Sequence, residues 1–356
     1  MVTNFFLGAN SSAGFRSLYE DFTDPKKNYD ILVLKGGPGV GKSSFMKYIG
    51  SRAEEQGEDV EYIWCSGDPD SLDAVRLPRA GVIAVDGTSP HVVEPQYPAA
   101  VDRYVNLGQF YCVEDCKQRR EELIRHTTDY QAAYVRAYRA LQAAGEVENT
   151  LRDVLTAGYD REKLSRRTAG IIARELGRQG SGTGAVACRY LGGVTHQGQV
   201  WRFDTVETLA DRVYELLDTS GIGYHLVTAV QKAAAERGYD SIACMDPDRP
   251  DRIQHLILPE LRLAFVTSAP GMEYPGTPYR RIHLDTLLDQ KHCRLNKARC
   301  RFYRRMHGLL LEEGVENLRA AKASHDKLEK VYNATVDFGG VYALAEREWD
   351  RIARWL

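Results

Sequence analysis

The sequence predicts an α/β protein of two duplicated three-layer units, each with a mostly parallel sheet and each followed by a long helical hairpin. Three observations predict it: a glycine-rich loop between a strand and a helix, a second copy of the surrounding sequence in the C-terminal half, and long helical seams after each copy. The expected units are residues 1–179 and 188–356, joined by a Gly/Ser linker at 180–187.

Bulk properties set the class. With 356 residues, 43% apolar and 27% charged, the chain has enough material for roughly two ordinary globular domains. A net charge of −2 makes no global electrostatic case for nucleic acid or an anionic membrane. The N-terminus MVTNFFLGAN lacks a basic leader and a long apolar run, so no signal peptide is expected. No stretch approaches the roughly 18 apolar residues of a membrane span. Seven scattered cysteines fit reduced thiols and a cytoplasmic protein better than a disulfide framework. Cys112 and Cys116 lack a second pair to complete a zinc site.

The first element to justify is the loop. Ile31 to Leu34 form an apolar run suited to a buried strand. Gly36, Gly37, Pro38, Gly39, Val40, Gly41, Lys42 and Ser43 then match G-x-x-x-x-G-K-[ST], with Ser44 following. Phe45, Ile49 and Ala53 continue at helical spacing. Such a loop curls its backbone N–H groups around phosphate oxygens and adds the positive end of the helix. Lys42 is expected to hold the β- and γ-phosphates, and the Ser43 hydroxyl to ligate Mg²⁺. Downstream, Gly81 to Asp86 read as a strand ending in an acid, so Asp86 is the second expected Mg²⁺ ligand. Gly87 stands where many motor ATPases carry a water-activating Glu.

A repeat runs through the chain in preserved order. Leu7, Gly8 and Gly14 correspond to Leu191, Gly192 and Gly198, and Gly57 to Gly238. DPDSLD aligns with DPDRPD, Asp68 with Asp246 and Asp70 with Asp248. Twenty residues from Leu141 resemble twenty from Leu318. In the second copy PGVGKS becomes SGIGYH at Ser220 to His225, Asp86 falls opposite Val266, and His91 opposite Gly271. The second copy is therefore read as a degenerate half. Because DPD persists there, Asp68 and Asp70 are read as turn formers rather than catalysts, and His91, lost with the site, gains a candidate role near the γ-phosphate.

In the arms, Leu123, Thr127, Tyr130, Tyr134, Ala137 and Leu141 make a helical seam whose expected partner is 150–176. In the second copy Phe302, Met306 and Leu309 form the expected apolar face. Arg294, Lys297, Arg301 and Arg304 form a basic one, read as a solvated surface, with helix 294–305 the one route to nucleic acid.

The elements KGGPGVGKSS, CSGDPDSLDAV, DGTSPHVVEPQYPAAVD, ILPEL and AAKASHDKLEKVYNATVDF resemble an uncharacterised bacterial tandem P-loop NTPase family, usually labelled ATPase or nucleotide-kinase-like. The likeness covers nearly the whole chain. Members commonly look intact in both loops, and this chain departs at Tyr224, His225, Val266 and Gly271. The resemblance implies an NTPase and no particular substrate.

The combined expectation is an enzyme with one Mg-ATP site in the first half, hydrolysing ATP through Lys42, Asp86 and His91. A nucleotide or small-molecule kinase and a non-enzymatic nucleotide switch are the rivals. The second half is expected to be a scaffold or a partner surface, with closure over the site by an Arg one form of that role. Homo-oligomerisation is left open.

Overall fold

A computed structural model describes residues 1–177 and 182–356. In the first half the elements are β1 (Val2–Phe6), β2 (Gly8–Ser11), β3 (Gly14–Ser17), α1 (Tyr19–Phe22), β4 (Asp30–Lys35), α2 (Lys42–Glu55), β5 (Val60–Trp64), β6 (Leu72–Leu77), β7 (Val82–Asp86), β8 (Asp102–Asn106), α3 (Val113–Gln118), α4 (Arg120–Thr156) and α5 (Arg161–Glu175). The second half continues with β9 (Val186–Arg189), β10 (Gly192–Thr195), β11 (Gly198–Trp201), α6 (Phe203–Leu209), β12 (Arg212–Leu217), α7 (Gly223–Ala235), β13 (Ser241–Met245), β14 (Ile253–Leu258), β15 (Leu263–Ser268), β16 (Arg280–His283), α8 (Gln290–Leu295), α9 (Lys297–Asn333) and α10 (Phe338–Ile352).

The fold is α/β, with two mixed, mostly parallel sheets of six strands. One runs β1-β5-β6-β7-β4-β8, and the other has the same order, β9-β13-β14-β15-β12-β16. In each, one strand (β6 or β14) runs antiparallel to both neighbours. The central strands are apolar on both faces, as strands covered on both sides must be. A third sheet, β11-β10-β2-β3, joins the two N-terminal hairpins through a Val194–Asn10 pairing.

Each unit was expected to carry its own helical layers on both faces. Instead, helices of that kind cover only the outer faces. Leu32, Leu34, Val75 and Ala84 pack against α2 and α10, and Leu216, Leu256 and Phe265 against α7 and α5. The inner faces share one core: Ile31, Val33, Ile83 and Val85 of the first sheet join Val213, Ile257, Ala264 and Val266 of the second, with Tyr19, Phe203 and Val206 from α1 and α6 between them. The buried Arg189 donates to the Glu61 carboxylate at 2.6 and 3.2 Å across this junction. The halves are therefore one folding body, not two separately cored units.

The expected hairpins are also replaced. The 37-residue α4 runs on to Thr156 and pairs with the 37-residue α9. Leu123 meets Leu328 and Val331 at one end, and Leu151 and Leu155 meet Cys300 at the other, so the pair is antiparallel. Gly314 lets Leu141 approach closely at the middle. The following helices are exchanged: α5 lies on the second sheet and α10 on the first. The first-copy seam is the packed face: Leu123, Ala137 and Leu141 are buried and Thr127, Tyr130 and Tyr134 half-buried, with Ala133 an unexpected buried member. The second-copy face is not. Phe302 and Leu309 are exposed, while Cys300, Gly314, Val315 and Leu318 pack. Arg294, Lys297, Arg301 and Arg304 are exposed.

Of the expected linker, 180 and 181 lie outside the described residues, and Val186 and Ala187 already belong to β9, a strand of the second sheet. No helix among the described residues is long and apolar enough to cross a membrane.

Candidate functional site

The Gly36–Ser44 loop joins the end of β4, between β7 and the edge strand β8, to the start of α2. Val40 and Phe45 are fully buried and pin its two ends to the core, while Ser44 is exposed. Gly41, the residue before α2, has φ 94°, a left-handed conformation that favours glycine. Gly39 also has positive φ, and a Cβ there would come within 2.4 Å of the Asn333 amide.

Inside the loop Lys42 Nζ donates to the carbonyls of Gly36 (2.8 Å) and Gly37 (3.1 Å) and lies 3.5 Å from Asp86 Oδ2. Asp86 Oδ1 accepts from the Thr88 N–H and hydroxyl. Ser43 Oγ accepts from Leu72 N–H at 2.9 Å. Lys42 and Asp86 therefore meet, while the Ser43 hydroxyl is engaged at the start of β6. Tyr111 donates its hydroxyl to the Pro38 carbonyl at 2.7 Å, and its ring lies against Tyr332.

The second half reaches this loop through the exchanged arm. Asn333, at the end of α9, donates to the Gly39 carbonyl at 2.7 Å when its amide nitrogen faces the loop. Val341 and Phe338 of α10 lie against Gly41. The contact made at Gly39 is an amide where an Arg had been expected.

His91 lies beside these groups and is only 7% exposed. Its ring stacks on Tyr19 at 4.5 Å, and Nε2 is 3.9 Å from Asp73 Oδ1. Neither ring nitrogen has a hydrogen-bond partner among the described residues. Tyr19 donates to Asp73 Oδ2 at 3.0 Å. Burial pushes the Asp73 carboxyl up, and burial with the Asp73 charge pushes the Tyr19 hydroxyl well up. In the sequence Asp73 stands with Asp68 and Asp70 in CSGDPDSLD, where the three read either as including a base for a substrate hydroxyl or water or as turn and cap formers. In the structure Asp73 sits in β6, whose pairing of Ala74 with Val85 sets it across from Asp86. The signal was present as an Asp directly before the apolar pair Ala74–Val75 in the strand LDAVRL. A cleft of about 340 Å³ opens at His91 and Tyr19, flanked by Glu20, Thr23, Glu94 and Asp102.

Strand register revises two alignments. Leu34 pairs with Asp86 and Leu216 with Thr267, so Asp86 corresponds to Thr267 rather than Val266. The Cys65 N–H bonds the Ser71 carbonyl and the Asp246 N–H bonds the Arg252 carbonyl, so Asp246 corresponds to Cys65 and not Asp68. The second copy therefore says nothing about Asp68. Its turn role stands on its own contacts: it accepts from the Ser71 hydroxyl at 2.8 Å and pairs with Lys322.

The corresponding loop of the second half is filled from within. Asp218 occupies the position of Gly36, counting back equally from Tyr224 and Lys42. Its carboxylate accepts from the N–H groups of Ser220 (3.1 Å), Gly221 (2.8 Å) and Gly223 (2.6 Å) and from the Ser220 hydroxyl. A carboxylate thus occupies the N–H cradle that an anion would use. Arg152 of α4 packs on Gly221, and Arg252 covers the Tyr224 ring at 4.3 Å.

Comparison with protein-family models, curated proteins and solved structures found no match.

Proposed function

We propose that the chain is a P-loop NTPase with one Mg-nucleotide site, at Gly36–Ser44 and Asp86, and that its second half is a degenerate duplicate serving as scaffold. The observation that carries this reading is the position of Lys42. Its ammonium is held by the loop's own carbonyls beside Asp86, a placement from which it can turn to phosphate oxygens. The identical strand order of the two sheets and the matching element sequence support descent from one duplicated unit, in line with the tandem P-loop family that the motifs resemble.

The residues suit the metal as well as the phosphates. Ser43 and Asp86 offer a hydroxyl and a carboxylate, hard oxygen donors suited to Mg²⁺. When bound with nucleotide, Mg²⁺ would neutralise charge on the β- and γ-phosphate oxygens. The backbone N–H groups of Gly39 to Lys42 would cradle the phosphates. Lys42 would leave the Gly36 and Gly37 carbonyls to meet the γ-phosphate. ATP is chosen over GTP on frequency alone, since no base-reading contact is identified.

The cleft at His91 favours phosphoryl transfer as a second reading. Its polar rim of Glu20, Thr23, Glu94 and Asp102 suits a hydroxyl- or amine-bearing acceptor, and Gly87 supplies no carboxylate to activate water. Incubation with ATP labelled in the γ-phosphate tests both. Label released as inorganic phosphate supports hydrolysis, and label transferred to a nucleoside or sugar panel supports the kinase. Tight binding with neither leaves a nucleotide-switched binding protein.

A further inference from the structure

We infer that Asp73, Asp86 and His91 form a site for one divalent cation of the borderline type, Mn²⁺, Co²⁺ or Zn²⁺. Its ligand set differs from the Ser43 and Asp86 pair assigned to Mg²⁺. The site needs no nucleotide; only its relation to a γ-phosphate rests on the proposed function.

The geometry is that of ligands gathered without direct bonds. One donor atom from each residue lies within 4.8 Å of the others. Asp73 Oδ1 and His91 Nε2 are 3.9 Å apart, too far for a hydrogen bond. Two donors bound to one ion at about 2.1 Å lie roughly 3–4 Å apart, so small side-chain movements complete the set. Tyr19 serves the other Asp73 oxygen, which leaves Oδ1 facing His91.

His91 supplies a second, independent sign. It is more than nine-tenths buried, and both ring nitrogens lack a partner among the described residues. Leaving such a group unpaired is costly, so buried polar groups usually have partners. Its ring is fixed by the Tyr19 stack rather than free to reorient. Asp73 and Asp86 add two carboxylates facing each other across neighbouring strands, an unfavourable pairing without a cation between them. Lys42 lies 3.5 Å from Asp86 Oδ2, and Oδ1 accepts from Thr88, so an ion would share an Asp86 oxygen with one of them.

The second half gives a contrast. The positions of Tyr19, Asp73 and Asp86 are held there by Phe203, Gln254 and Thr267. The whole cluster is replaced, not only the residues that would touch a nucleotide. The cleft that includes His91 and Tyr19 gives an ion a route from solvent. An imidazole nitrogen beside two carboxylates favours Mn²⁺, Co²⁺ or Zn²⁺ over Mg²⁺, which prefers oxygen ligands alone.

The test titrates the EDTA-treated full chain with Co²⁺ in the absence of nucleotide, following its visible absorption, and with Mn²⁺ and Mg²⁺ by calorimetry. One equivalent of Co²⁺ and of Mn²⁺ should bind, at least about tenfold more tightly than Mg²⁺. Asp73→Asn and His91→Gln should each weaken binding by at least about tenfold, and His91→Gln should also shift the Co²⁺ band. Absence of saturable binding in the wild-type chain, or an unchanged band and affinity in His91→Gln, overturns the site. If Asp73→Asn fails to fold, His91→Gln and the wild-type spectrum still decide. Lys42→Ala separates the two readings: nucleotide-dependent stabilisation should disappear while the Co²⁺ spectrum remains.

Discussion

Asp218 accepts the Gly223 N–H at 2.6 Å and so closes the second-half loop with the protein's own carboxylate. The equivalent first-half residue, Gly36, has no side chain to play that part. A carboxylate at one position thus distinguishes a loop that caps its own N–H groups from one that does not.

Removing that carboxylate should destabilise the fold. Asp218→Ala leaves three loop N–H groups and the Ser220 hydroxyl without their acceptor. Hydrogen bonds to a charged group are worth about 1.5–3 kcal/mol each, part of which water will restore, so a net loss of about 2–3 kcal/mol is expected. Urea denaturation should show a lower midpoint at unchanged slope. An unchanged midpoint would contradict the self-capping role.

Nucleotide should act through the first loop alone. At a concentration of about 100 Kd, ATP with Mg²⁺ should stabilise the wild-type chain by about 2.7 kcal/mol. Lys42→Ala should abolish that shift, whereas Tyr224→Ala should leave it almost unchanged. A full thermal shift in Lys42→Ala would falsify the first-loop assignment.

The exchanged helices make a mutation late in the chain act on the first half. Trp349 of α10 is 2% exposed and packs in the core over α2. Trp349→Ala should cost about 3–5 kcal/mol. Hydrogen exchange should show amides of α2 losing protection together with those of α10. Protection lost in α10 alone would mean that the arm is not part of the first-half core.

His255 should make the protein acid-sensitive. It is fully buried in β14, accepts the Thr267 N–H through Nδ1, and burial lowers its pKa to about 3. An unfolded chain takes up the proton near pH 6.5, which the folded chain resists until about pH 3. The contribution is therefore fully present above pH 6.5 and is lost as pH falls through that window, by up to about 1.4 kcal/mol per unit. His255→Gln, which keeps an acceptor for Thr267, should flatten the decline of stability between pH 6.5 and 4. An unchanged slope would assign the acid sensitivity to other groups.

Much of the candidate site was legible because it is local. The strand, the glycine loop and the helix are contiguous, and each glycine at positive φ sits where the motif places it. Asp86 was legible as the acid ending a strand. Asp73 was not, because its meaning comes from the strand opposite, and a β-bulge between Ile63 and Trp64 breaks simple counting nearby. The gaps in the repeat had the same effect on Asp68, where similar letters, DPD, lie at different positions of the two folds.

The sequence by itself determined the two sets of elements, their common order and the presence of Tyr224 and His225 where the first loop has Lys42 and Ser43. These are encoded in spacing and residue type along the chain. Only the tertiary structure decided that α4 pairs with α9, that α5 and α10 change sides, and that the inner faces of both sheets share a core. An amphipathic helix specifies that one face must be buried, but not which apolar surface buries it. Distance along the chain favoured a hairpin. The available surfaces favoured exchange: a 37-residue helix carries the chain past its own sheet, and the next helix packs on the nearest uncovered face.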